Sequence, residues 1–201
     1  MSLLLPTAPV PMFPLPGVFL FPAQVLPLNV FEPRYRQLVE DILDGPGRMV
    51  IATIVGDGET PSVLPVAGFG EIVRHEKQDD GRYHLWVLGL QRVRIEEAAS
   101  DRLYRRVLCR PFAEVQADPG EALELRSRLR AAAQSRLAQQ LPLPEQAPTG
   151  VLADLLLQML RLPQALTEDI FAEQSVAERA RKTLAAHAQF PQSPPPSPQR
   201  E

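Results

Sequence analysis

The sequence predicts an α+β fold: a small strand-built barrel holding one short helix, followed by a helical bundle. Three observations carry this. Up to about Phe112 the chain runs in short extended segments broken by glycines and prolines, a pattern that favours a closed or partly closed barrel over a flat sheet. After Asp118-Pro119-Gly120 the apolar period becomes helical. Between the early strands, the stretch opened by Pro33 places Tyr35, Leu38, Val39 and Ile42 on one helical face.

In chain order, Val10 to Leu15 is a proline-limited extended segment suited to a sheet edge or bulge. Pro16-Gly17 supplies a turn and Gln24 to Phe31 a second extended run. The short helix follows and ends at Gly45-Pro46-Gly47. Met49 to Val55 is continuously apolar and reads as a central strand. Gly68 to His75 and Tyr83 to Leu90 flank Asp79-Asp80-Gly81, a hairpin turn. Gly89 marks a bulge, Gln91 to Glu96 continues in the bent direction, and Tyr104 to Phe112 is the last strand.

Leu123, Leu125, Leu129, Ala132, Ala133 and Leu137 then form a helical stripe that Pro142 and Pro144 stop. Val151 to Leu160 is a second helix, Pro163 opens a third, and Ser175 with Glu178 is a capping box for a fourth. The expected division is 1–116 for the barrel-like part, 117–189 for the helical part and 190–201 for a disordered, proline-rich tail.

With 201 residues, 45% of them hydrophobic, a proper core can be buried. A net charge of −3 argues against a whole-protein grip on nucleic acid or an anionic membrane. Met1 to Phe31 carries no charge, but prolines from Pro6 to Pro27 would break a spanning helix and no basic segment precedes the apolar run. The lone Cys109 excludes an intrachain disulfide and reads as a small buried strand residue. A cytoplasmic location is the expectation.

The chemistry of known catalytic motifs is missing from the sequence. No glycine-rich loop is followed by Lys and Ser or Thr, and no Gly-x-Ser-x-Gly elbow occurs. His75, His84 and His187 lack metal-ligand spacing, and Lys77 and Lys182 sit in polar settings that would not lower an amine pKa. No enzyme activity, cofactor or metal is therefore expected. Arg102, Arg105, Arg106 and Arg110 form one basic cluster beside Tyr104, which could hold RNA. The neighbouring Glu96, Glu97 and Asp101 favour local ion pairing instead.

Several motifs in order resemble the N-terminal domains of Lon proteases. They are Pro14 to Pro22 (PLPGVFLFP), Leu26 to Tyr35 (LPLNVFEPRY), Gly68 to Ile72 (GFGEI), Leu88 to Ile95 (LGLQRVRI), Leu152 to Leu156 (LADLL) and Ala177-Glu178-Arg179. The resemblance spans about residues 10 to 188. It implies a PUA-like β pseudobarrel with a helical bundle, and a role in recognising unfolded or degron-bearing protein segments. The chain stops where Lon continues into its ATPase and peptidase parts, so the resemblance implies a stand-alone, ATP-independent and non-catalytic binding module of bacterial type, working with a separate protease. The alternative reading is an RNA-binding PUA-like module.

For the binding surface, the charge-free stretch up to Phe31 offers Met12, Phe19 and Phe21. If Phe19 and Phe21 lie in the loop between the first two strands, they stand exposed as an apolar patch for polypeptide. Phe13 and Phe31 are expected in the core. Arg34 and Tyr35, at the start of the short helix, complete the expected site, Arg34 also tying the helix to the barrel.

Overall fold

The computed structural model describes residues 5–58, 60–137 and 143–190. The chain divides into two compact units, Met1–Ala113 and Glu114–Glu201. The first holds β1 (Val10–Pro16), β2 (Val25–Val30), α1 (Pro33–Leu43), β3 (Arg48–Val55), β4 (Ser62–Val63), β5 (Val66–Lys77), β6 (Tyr83–Ala98) and β7 (Arg106–Pro111). The second holds α2 (Pro119–Arg136), α3 (Thr149–Leu160), α4 (Gln164–Phe171) and α5 (Val176–Gln189). The α+β class expected from the sequence is the one observed.

The strands close on themselves. The sheet runs β1-β7-β6-β5-β3-β4, and β1 also pairs with β3 in parallel from Met12↔Val50 to Pro16↔Ile54. Five strands therefore form a ring, which removes their free edges. β1 carries three prolines yet sits inside this ring, so the expectation of an edge segment is corrected. A proline forfeits only its own N–H, and its carbonyl remains available to either neighbour. β2 lies off the ring and pairs with β6 from Val25↔Leu88 to Val30↔Tyr83. β6 bends where the sequence places Gly89: the register jumps from Phe69↔Gln91 to Gly70↔Gly89, so Leu90 bulges. The β5–β6 hairpin turns at Asp79-Asp80-Gly81, with Gly81 at φ 82°. β4 has only two residues, too few for any periodicity to announce it.

Ring strands alternate side chains between two separate cores. Met12, Val50, Ala52, Ala67, Phe69, Val93 and Val107 pack inside the ring. Phe13, Met49, Ile51, Leu85 and Val87 point outward and are covered by α1 through Tyr35, Leu38, Val39 and Ile42. The helix thus closes a second apolar layer rather than lying on the surface.

The segment between β1 and β2 is seated in a slot made by missing side chains. A Cβ on Gly68 would lie 2.3 Å from the Leu20 carbonyl oxygen, and one on Gly89 would lie 2.0 Å from that of Phe21. No residue with a side chain fits these positions unless the segment moves. The Ala23 N–H donates to the Gly89 oxygen (2.8 Å), the Gly89 N–H to the Gln24 oxygen (2.8 Å), and the Thr53 hydroxyl to the Val18 oxygen (2.6 Å).

In the second unit, α2, α3 and α5 pack mutually and α4 rests on α5. Leu125, Leu129, Ala132 and Ala133 of α2 face inward as predicted. Leu123 and Val151, expected in the same stripes, are exposed. Each lies in the first turns of its helix and off the inward face. Ser175 caps α5 by accepting from the Glu178 N–H (3.3 Å). The reciprocal half of the capping box is absent: the Ser175 N–H donates to Glu173 (2.9 Å) instead, and the Glu178 carboxylate pairs with Arg181. Arg179 is 1% exposed and bridges Glu114 (2.7 Å) and Asp154 (3.2 Å). Gly150 makes room for it, since a Cβ there would lie 2.7 Å from its guanidinium. Pro142 and residues 191–201 fall outside the described residues.

Candidate functional site

The start of α1 borders a recessed surface of the first unit. Glu32, extended at φ −69° and ψ 137°, precedes Pro33 at the first helical position, where a missing N–H costs nothing. Glu32 makes no cap with its side chain and instead pairs with Arg34 at 2.7 Å. One residue on, Tyr35 falls on the inward face and its ring stacks on Phe13, with centroids 4.2 Å apart. The Arg34 guanidinium lies 4.7 Å from the Tyr35 ring centre, within cation–π range.

Two cavities flank this pair, of about 320 Å³ and about 240 Å³. Both are lined by Pro14, Arg34, Tyr35 and Ile54, so they adjoin as one groove. Leu103 and Arg105 line the larger half, Phe31 and Pro16 the smaller. Leu103 is 67% exposed and Phe31 61%. Two large apolar side chains thus stand open beside a recess, the arrangement expected of a surface that receives an apolar partner.

The 102–105 wall is tied back to α1. The Tyr104 hydroxyl donates to Asp41 at 2.8 Å, and the Leu103 N–H donates to Gln37 at 3.1 Å. Burial, then the Asp41 carboxylate accepting its hydrogen bond, push the Tyr104 phenol up to about 12. Burial also raises Tyr35 above the usual tyrosine range.

The structure brings together two of the five residues expected at the site and withholds three. Arg34 and Tyr35 line the groove. Met12 is fully buried inside the ring, Phe21 is 3% exposed and Phe19 9%. The expected exposed patch of Phe19 and Phe21 does not exist in this conformation. The slot over Gly68, Gly70 and Gly89 draws Leu20 and Phe21 against the strands, and the Arg92 guanidinium lies 5.7 Å from the Phe21 ring centre. Phe31 is the reverse case: expected in the core, it is exposed. In β2, Leu26, Leu28 and Val30 turn inward while Val25, Pro27 and Asn29 turn out, and Phe31 continues the outward set. That alternation was the available signal for Phe31. Leu103 lies in an irregular segment and gave none. The carboxylate partner of Arg34 is its neighbour Glu32 rather than a barrel residue.

The basic cluster that an RNA would need is engaged. Arg105 pairs with Glu97 and donates to the Pro61 oxygen (2.8 Å). Arg106 donates to the Pro9 oxygen (2.8 Å), and Arg110 pairs with Glu96 (3.0 Å). Burial pushes the Cys109 thiol up to about 11, the opposite of what a nucleophile needs. Among the described residues no helix is long and apolar enough to cross a membrane.

Comparison with known proteins adds the lineage. A family model described as the ATP-dependent protease La (LON) substrate-binding domain matches residues 9–186. A Lon protease of Desulfosudis oleivorans is 29% identical over 91 residues, 42% of this chain but only 11% of that protein. Among solved structures, a Lon N-terminal domain protein from Xanthomonas campestris superposes with a TM-score of 0.65 at 22% identity, covering 89% of this chain and 98% of the other. The N-terminal domain of a Mycobacterium avium complex Lon protease gives 0.66 at 19% identity, covering 90% and 98%. These two likenesses establish the fold.

Proposed function

The chain belongs to the family of Lon substrate-binding domains, and from that premise we propose that it is a non-catalytic module whose groove beside the start of α1 captures extended apolar segments of other polypeptides. The observation that carries this is the juxtaposition of exposed Phe31 and Leu103 with a two-part recess lined by Pro14, Ile54 and Tyr35. Aromatic and aliphatic anchors around a preformed recess are what a flexible chain needs to bury its own apolar side chains. Unfolded or degron-bearing segments present such side chains, whereas folded proteins hide them. Captured segments would pass to a separate protease in the cytoplasm, since among the described residues none that line the groove pair a nucleophile with a base.

The test is fluorescence anisotropy with a permanently unfolded, labelled model polypeptide. Phe31→Asp and Leu103→Asp should each weaken binding about tenfold while leaving the thermal midpoint unchanged, because both side chains are solvent-exposed. Wild-type affinity in both variants would remove the groove as the site.

A further inference from the structure

The two halves of the groove differ in chemistry. Among the described residues, the half against Leu103 is lined by Arg34 and Arg105 and by no carboxylate. The carboxylate that pairs with Arg34, from Glu32, lines the other half. Tyr35 sits between them, 7% exposed, and its hydroxyl has no hydrogen-bond partner among the described residues. The hydroxyl is not enclosed, so this donor is open and can meet an acceptor that a bound molecule brings into the recess.

The charges around that donor lean positive. Arg105 is held by Glu97 and the Pro61 carbonyl, but its Nε is enclosed with no acceptor. Burial pulls its pKa below the usual arginine range, the mark of a cation whose lost hydration is not fully replaced. Arg34 is held by a solvent-exposed pair with Glu32, its side chain 48% and that of Glu32 39% exposed. Such a pair is weak, so Arg34 can exchange partners at little cost.

Resting on the capture role proposed above, we infer that this half of the groove is a carboxylate subsite. It takes the carboxylate of a bound polypeptide, from its C-terminal end or from a Glu or Asp side chain, while the adjacent apolar side chain lies in the Phe31 half. Tyr35 Oη and the Arg34 guanidinium donate to the two carboxylate oxygens, and Arg105 supplies positive potential without giving up its own partners.

The experiment uses one labelled apolar peptide sequence in three forms: a free C-terminal acid, a C-terminal amide without acidic residues, and that amide with one internal Glu. Each is titrated by anisotropy with the full chain and with its Arg34→Gln and Tyr35→Phe variants, the latter keeping the ring that stacks on Phe13. At least one acidic form should bind about tenfold tighter than the plain amide, and which one identifies the source of the carboxylate. The gap should shrink in both variants. An amide that binds as tightly as both acids, or a gap that survives both substitutions, overturns the subsite and leaves the groove standing. Failure of all three peptides to bind overturns the groove, and the subsite with it.

Discussion

Two neighbouring aromatic stretches meet opposite fates. Phe19-Leu20-Phe21 lies buried across β5 and β6, while Phe31, followed by Glu32-Pro33-Arg34, stands open at the groove. Both follow apolar, proline-rich sequence: Pro14 and Pro16 precede the first and Pro27 the second. What separates them is the surface each meets. The first finds Gly68, Gly70 and Gly89, which leave room for its backbone. The second is carried outward by the alternation of β2. Exposure here is decided by the receiving surface and by strand phase, and aromatic content alone decides neither.

The sharpest test of this contrast pairs two truncations. Phe21→Ala should cost about 4 kcal/mol of stability, the usual penalty for emptying a buried aromatic site. Phe31→Ala should change stability by no more than about 0.5 kcal/mol, as for an open surface position, yet weaken polypeptide binding. Urea unfolding of both variants gives the comparison directly. Equal losses of stability would mean that the two stretches are alike after all.

A smaller but more specific effect is expected at the slot. Gly89→Ala sets a Cβ 2.0 Å from the Phe21 carbonyl oxygen, and the strand backbone cannot retreat without breaking the Ala23–Gly89 and Gly89–Gln24 hydrogen bonds. A loss of about 2–3 kcal/mol follows. Gly120→Ala is the control, since a Cβ there meets nothing within 4 Å, and Ala is the better helix former. It should hold or raise the unfolding midpoint. If both alanines behave alike, the slot is not what seats the segment.

The same contrast explains what could be read from the sequence. Period and punctuation gave the strand and helix classes, the Gly81 turn and the Leu90 bulge, because each is written in neighbouring residues. Phe31 is legible too, since Leu26, Leu28 and Val30 set the inward phase and leave residue 31 on the outward one. The burial of Phe19 and Phe21 was not legible. It depends on Gly68 and Gly89 lying opposite residues 20 and 21, and those glycines announce only a bend in their own strands. The pairing of Arg179 with Glu114 and Asp154 is likewise hidden. Helical spacing puts Arg179 on the inward face with Val176 and Thr183, whereas its partners come from elsewhere in the fold. The groove is the least legible feature, since Leu103 and Pro61 reach it from irregular segments.

The open region should also show its own, gentler dependence on pH. Where glycines and close packing hold the Phe19–Phe21 segment, hydrogen bonds hold the Leu103 wall, chiefly from Tyr104 to Asp41 at 2.8 Å. Tyr104→Phe removes that bond and should cost about 1 kcal/mol at neutral pH. The phenol's pKa in the folded chain is raised to about 12 from 10.0. The folded state therefore keeps its proton more tightly than the unfolded chain does. The resulting stabilisation is whole below pH 10 and is lost as the pH rises through 12. In Tyr104→Phe that share of the alkaline loss disappears, so the stability gap between the two chains should narrow from pH 9 to pH 12. A gap that stays constant across this window would show that the Tyr104 proton is not what fastens the wall to α1, and that packing holds the open region as it holds the buried one.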